Sequence, residues 1–180
     1  MNLAGIAHEV VVSDADETID GAPDYQVHTL ALRKGDAVIA MMEPSEDAIV
    51  IAADTLVYID GKVLGKPKDA QDAFDMLKKL QGRSHKVYTG VALTCTGMAG
   101  ASVSFVDSAD VYFRTLSDDE IWAYISTGEP FDKAGAYGVQ ERGAVLVDRV
   151  EGDFYTVVGL PISKVCTALM SMGFDIWGAK

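Results

Sequence analysis

The chain has 180 residues, room for one domain or one two-lobed unit with a central cleft, and 49% of them are apolar, ample for a core. At 23% charged residues it is not disordered by composition, and a formal net charge of −12 denies it the basic footprint of a nucleic-acid binder. A small anionic substrate remains compatible, because lysines can cluster locally and a divalent cation can supply positive charge. Cys95 and Cys166 lack CxxC or zinc spacing and read as small core hydrophobes in a reduced, intracellular compartment. No basic leader and no bilayer-spanning apolar run is visible.

In chain order, Val10 to Val12 reads as a short buried strand ending in an acidic loop, Ser13 to Thr18. A helix is predicted from about Asp24 to Met42, with Val27, Leu30, Ala31, Val38, Ile39 and Met42 on its apolar side. The β-branched run Ala48 to Ala53 predicts a strand buried on both faces that stops at Asp54-Thr55. Leu56–Ile59 and Lys62–Leu64 read as a hairpin around Asp60-Gly61. A helix capped by Asp69 runs to Leu80, with Gly82 past its end. Two long strands follow, Val87 to Thr96 and Val103 to Phe113, joined across Gly97 to Gly100. Ser117 and Glu120 form a capping box for a helix through Ile125, closed by Gly128. Ala144 to Val150 and Phe154 to Val158 read as a further hairpin, and Pro161 opens a last helix in its first turn. The mixture implies a mixed-sheet α/β or α+β architecture.

Four places could carry chemistry. Asp54 would project from the end of a buried strand, where ligands of open α/β sheets bind; the plain alternative is an Asp capping a turn. Glu17, at another strand end, could share Mg²⁺ with it, or belong to a solvated acidic loop. Gly65-Lys66-Pro67 fixes one lysine in a rigid turn without the upstream spacing of a phosphate-binding P-loop. Asp132 to Gln140 is a polar, glycine-rich loop expected outside the core, in which Lys133 and Gln140 could hold an anionic ligand with a face to read. His85 reads as a surface strand-edge histidine and Lys34 as a snorkelling lysine. No Ser-His-Asp or Cys-His arrangement is evident, so a sugar or acyl hydrolase lacks a nucleophile and a metal-bound water is the simpler proposal.

Six segments then combine in order: Asp16-Glu17; Ala53-Asp54-Thr55; Leu64-Gly65-Lys66-Pro67; Gly82 to Val91; Asp132 to Gln140; and Val158-Gly159-Leu160-Pro161. This series resembles the Maf family of nucleoside triphosphate pyrophosphatases over about residues 3 to 172. The resemblance implies an elongated mixed-sheet α/β fold, related to the ITPase-like architecture, with two lobes and a central cleft, as a single domain over residues 1–180. It implies hydrolysis of the α–β phosphate bond of a nucleoside triphosphate, with Mg²⁺ or Mn²⁺, by a cytoplasmic homodimer that binds neither nucleic acid nor membrane. By motif, Asp54 would be metal ligand or general base and Glu17 a metal ligand. Lys34, Lys66 and Lys133 would contact the triphosphate, and Gln140 would lie in the nucleotide pocket. The Asp-Lys-Ala-Gly loop resembles the branch acting on dTTP and UTP.

Two departures accompany the resemblance. The family opens with a strand and a Ser-x-Ser-Pro-Arg-Arg loop; here Leu3 to Ile6 aligns with the end of the helix that follows it. Without that phosphate-binding loop the 180-residue form is expected to be slower and to self-associate through an exposed sheet edge. A nucleotide-binding regulatory protein linked to septum formation, impaired in turnover, is the alternative function. The second departure is Gln140-Glu141, where the family has Gln-Gly.

Overall fold

The computed structural model describes residues 1–43, 48–97 and 101–178. The chain is α/β, as expected. Helix α1 (Pro23–Met41) is followed by strands β1 (Ile49–Ile59) and β2 (Lys62–Leu64), helix α2 (Ala70–Leu80) and strands β3 (Ser84–Cys95) and β4 (Ser102–Phe113). Helix α3 (Asp118–Ile125), strand β5 (Val147–Glu151) and helices α4 (Phe154–Val158) and α5 (Ile162–Ser171) complete it. The strands form one antiparallel sheet in the order β2-β1-β3-β4-β5. Of the predicted Gly97–Gly100 connection, residues 98–100 lie outside the described residues. Among the described residues no helix is long and apolar enough to cross a membrane.

The chain divides into two compact units, and the strands β1, β3 and β4 belong in part to each. The first comprises Met1–Asp54, Thr89–Asp107 and Leu160–Lys180. Its sheet alternates as a pleat must. Val91 and Leu93 of β3, with Ile49, Ile51 and Ala53 of β1, pack against Val165, Ala168 and Leu169 of α5. The opposite face carries Gly90 and Ala52, and α1 lies on it. A Cβ built on Gly90 would stand 2.2 Å from the Val27 carbonyl oxygen, and one on Gly35 would stand 3.6 Å from the Ala52 Cβ. Helix backbone therefore touches strand backbone directly. Asp54 shares the parity of Ala52, so it faces α1 as well.

The second unit comprises Thr55–Tyr88 and Ser108–Gly159. The Asp60-Gly61 turn has φ of 51° and 76°, the two positive values of a type I′ hairpin. Asp69 caps α2 by accepting from the Asp72 amide, and α2 buries Ala73, Leu77 and Leu80. Each of those leucines contributes roughly 2 kcal/mol by leaving water. The Ser117 capping box closes on α3 as expected. Phe74 of α2 stacks on Trp122 of α3 at 4.8 Å.

Several expectations are corrected. Val10 and Val12 are 80% and 86% exposed and lie in irregular chain, because no described strand pairs with them. Strand β1 does not stop at Asp54 but runs on to Ile59, continuing into the β2 hairpin. Of its predicted doubly buried stretch only Ala52 is buried, since the helices cover each face incompletely. Phe154 to Val158 is a helix, not a hairpin arm: the Asp153 side chain accepts from the Tyr155 amide, and Gly159 closes the turn at φ 114°. Caps at both ends outweigh the β-propensity of that run. Pro161 is the N-cap of α5 rather than a residue of its first turn.

Gly90→Ala should destabilise the protein by about 3 kcal/mol or more, because the new methyl meets main chain that cannot rotate away. Gly65→Ala, where a Cβ meets nothing within 4 Å, should stay near neutral. Urea unfolding of both variants checks the contrast, and equal midpoints would mean that α1 can lift off β3.

Candidate active site

In the first unit three predicted residues meet. Lys34 Nζ of α1 lies 2.6 Å from Asp54 Oδ1 and 2.8 Å from Glu17 Oε1. The Asp54 and Lys34 side chains are 12% and 22% exposed, so this is no snorkelling lysine. Burial pulls the Lys34 ammonium down, but its hydrogen bonds to Asp54 and Glu17 outweigh burial and hold its pKa above the ordinary value. Asp54 reaches Lys34 from the middle of β1, not from a strand end.

Glu17 is placed by a residue that the sequence reading missed. Arg33 donates to the carbonyl oxygens of Asp16, at 3.2 Å, and Thr18, at 3.0 Å, on either side of Glu17. The Asp16 carboxylate accepts from the Thr18 amide at 2.9 Å, an Asx turn that holds its pKa below the usual value. The only sequence signal for this brace was an arginine next to Lys34.

Asp54 and Glu17 thus converge on one cation. Two carboxylates are the protein donors that Mg²⁺ accepts when phosphate oxygens and water complete its shell. Among the described residues no group of three or more His, Cys, Asp or Glu could hold a metal with protein ligands alone. Asp54 and Glu17 are thus a pair of carboxylate donors, and in the structure they share the Lys34 ammonium.

In the second unit a hollow of about 290 Å³ brings together Lys66, Lys133 and Gln140 over a wall that includes Val57, Tyr137 and Val157. Thr55, the residue after Asp54 in β1, lines it too. The Gly135 amide donates to the Gly65 carbonyl at 3.0 Å, which fixes the Lys66 turn beside the Lys133 loop. Gly135 and Ala136 both have positive φ, 69° and 62°, so the chain doubles back between Lys133 and Gln140. Gly135 is required twice, since a Cβ there would also meet Val57 Cγ2 at 2.8 Å.

This doubling corrects the expectation of a loop outside the core. Ala136, Tyr137 and Val139 are 0%, 5% and 6% exposed and join the core of the second unit, while Gln140 is exposed. Lys133 Nζ pairs with Asp132 at 3.0 Å and Glu141 at 3.5 Å. Tyr124 and Glu129, also missed, organise the loop's far end. The Gly138 amide donates to the Tyr124 hydroxyl, which donates to Glu129. The amides of Arg142 and Gly143 donate to the same carboxylate.

His85 is not a surface residue. It is 3% exposed, and its Nε2 shares a 2.7 Å hydrogen bond with the Tyr137 hydroxyl. Phe113 and Tyr137 meet the ring edge-on, and among the described residues Nδ1 has no hydrogen-bond partner. Burial pushes the imidazole down to about 4, against the opposing charge of Asp110. His85 therefore locks the tyrosine of the hollow's wall and stays neutral.

A family model described as Maf-like protein matches residues 1–172. A dTTP/UTP pyrophosphatase of Caldicellulosiruptor saccharolyticus is 43% identical over 175 residues, 96% of this chain and 87% of that protein. A dTTP/UTP pyrophosphatase of Bacillus cytotoxicus is 46% identical over 171 residues, covering 94% and 86%. One of Bacillus velezensis is 45% identical over 171 residues, covering 94% and 87%.

The neutral His85 ring gives a pH signature. As pH falls, unfolded His85 takes up its proton near 6.5 but folded His85 only near 4. Its stabilising contribution is complete above pH 6.5 and is lost on the way down to 4, about 3 kcal/mol in all. Urea unfolding across this range should show the slope in the wild type and a flatter one in His85→Gln. An unchanged slope in the variant would assign it to other groups.

Proposed function

This chain belongs to the Maf family, and from that premise we propose that it hydrolyses dTTP and UTP between the α and β phosphates, releasing the monophosphate and pyrophosphate. The observation that carries the reading is the hollow itself: two lysines and a glutamine on its rim, with apolar and aromatic side chains beneath. Cationic rim and apolar wall suit a ligand with a charged tail and a flat base. The relatives' names favour an enzyme over an impaired regulatory protein.

In this reading Lys66 and Lys133 neutralise phosphate oxygens, and Gln140 hydrogen-bonds the nucleotide. Such a reaction needs charge neutralisation and an aligned water more than covalent help. Asp54 takes the proton of the attacking water. The water oxygen joins one product, and the bridging oxygen leaves with the other, its charge met by the lysines. Lys34 and Arg33 hold Asp54 and Glu17 in place. Glu17 and Asp54 would hold a divalent cation, Mg²⁺ or Mn²⁺, which when bound would neutralise charge on the reacting phosphates. The protein would act as one domain over residues 1–180, as a homodimer, in the cytoplasm.

Asp54→Asn should lower pyrophosphate release from dTTP by at least about a hundredfold while leaving the thermal midpoint close to wild type. A rate near wild type would leave Asp54 only a structural partner of Lys34. Chelation should stop release, and added Mg²⁺ or Mn²⁺ should restore it. Continued turnover in excess chelator would remove the cation from the reaction.

A further inference from the structure

Lys133 already has counter-ions. Asp132 is its chain neighbour and travels with it, but Glu141 arrives from the far end of the loop. The Glu141 backbone sits just before the 3-10 turn Arg142–Leu146, whose first amides are fixed on Glu129, so its position does not depend on Lys133. Lys133 and Asp132 line both the hollow holding Lys66 and Gln140 and a second polar one beside it. Glu141 lines only the second. Its carboxylate is about half exposed, so phosphate can displace it without leaving a buried charge.

We infer that Glu141 is a resident competitor for Lys133: it occupies the ammonium of the free protein, and a phosphate that takes the lysine has to displace it. The inference rests on the proposed pyrophosphatase reading. Every ligand that contacts Lys133 gives up the energy of the Lys133–Glu141 pair, substrate and products alike. The residue lowers the affinity for the products and so speeds their release.

Glu141→Gln keeps the shape and removes the charge, and Glu141→Ala is a second variant. Steady-state kinetics with dTTP, inhibition by dTMP, and calorimetry with inorganic pyrophosphate, each at low and high salt, read the effect. In both variants dTMP and pyrophosphate should bind about fivefold more tightly at low salt, the scale of one partly exposed ion pair. The KM for dTTP should fall as well, kcat should drop as release slows, and the differences should shrink in high salt. A merely structural role would shift the melting temperature without this salt dependence. Unchanged affinities for dTMP and pyrophosphate would overturn the inference. Wild-type protein that fails to cleave dTTP would instead overturn the proposed activity, and the pyrophosphate calorimetry would still decide the role of Glu141.

Discussion

Main chain touches main chain where α1 crosses β3. The Val27 carbonyl occupies the space where any side chain on Gly90 would begin. That approach sets the height of α1 above the sheet, and Gly35 against Ala52 repeats it one strand over. With the helix seated, Lys34 falls over Asp54, two residues along the same strand face, and Arg33 reaches the acidic loop bearing Glu17. The carboxylate pair is therefore a product of packing. Short side chains at the crossing are what allow long charged ones beside it to meet.

The second unit solves a different problem. A hollow with polar groups at its rim needs rigidity behind them. One nine-residue segment provides both by turning back on itself at two left-handed residues, one of them Ala136, whose methyl group costs roughly 1 kcal/mol in that conformation. Tyr137 goes inward to His85 and Phe113, while Lys133 and Gln140 stay on the rim. The His85 nitrogen without a partner among the described residues is part of the same arrangement: a buried polar ring is tolerated because it anchors the tyrosine.

What the sequence disclosed follows the range of the forces involved. Asp69, the Ser117–Glu120 pair and Asp60-Gly61 act within four residues, and all three were legible. The Lys66 turn and the Lys133 loop stood out through glycines beside lysines, and the structure brings both to one hollow. What failed depended on distant partners. Val10 to Val12 has the composition of a strand but pairs with no described strand, whereas His85 looks like an edge residue until Tyr137 arrives from more than fifty positions away. Lys34 resembles a lysine reaching for water because its two acids lie elsewhere in the chain. Family resemblance grouped Glu17, Lys34 and Asp54 as site residues, but the pairing of Lys34 with both acids and of His85 with Tyr137 came only with the fold.

The bond from the Gly135 amide to the Gly65 carbonyl has an evolutionary corollary. It joins two loops seventy residues apart through peptide groups alone. Replacements away from Gly135 leave it in place, so the spacing of Lys66 and Lys133 is inherited with the backbone. The residues around them are then free to drift, and the hollow can be retuned towards another ligand while its two lysines stay in register.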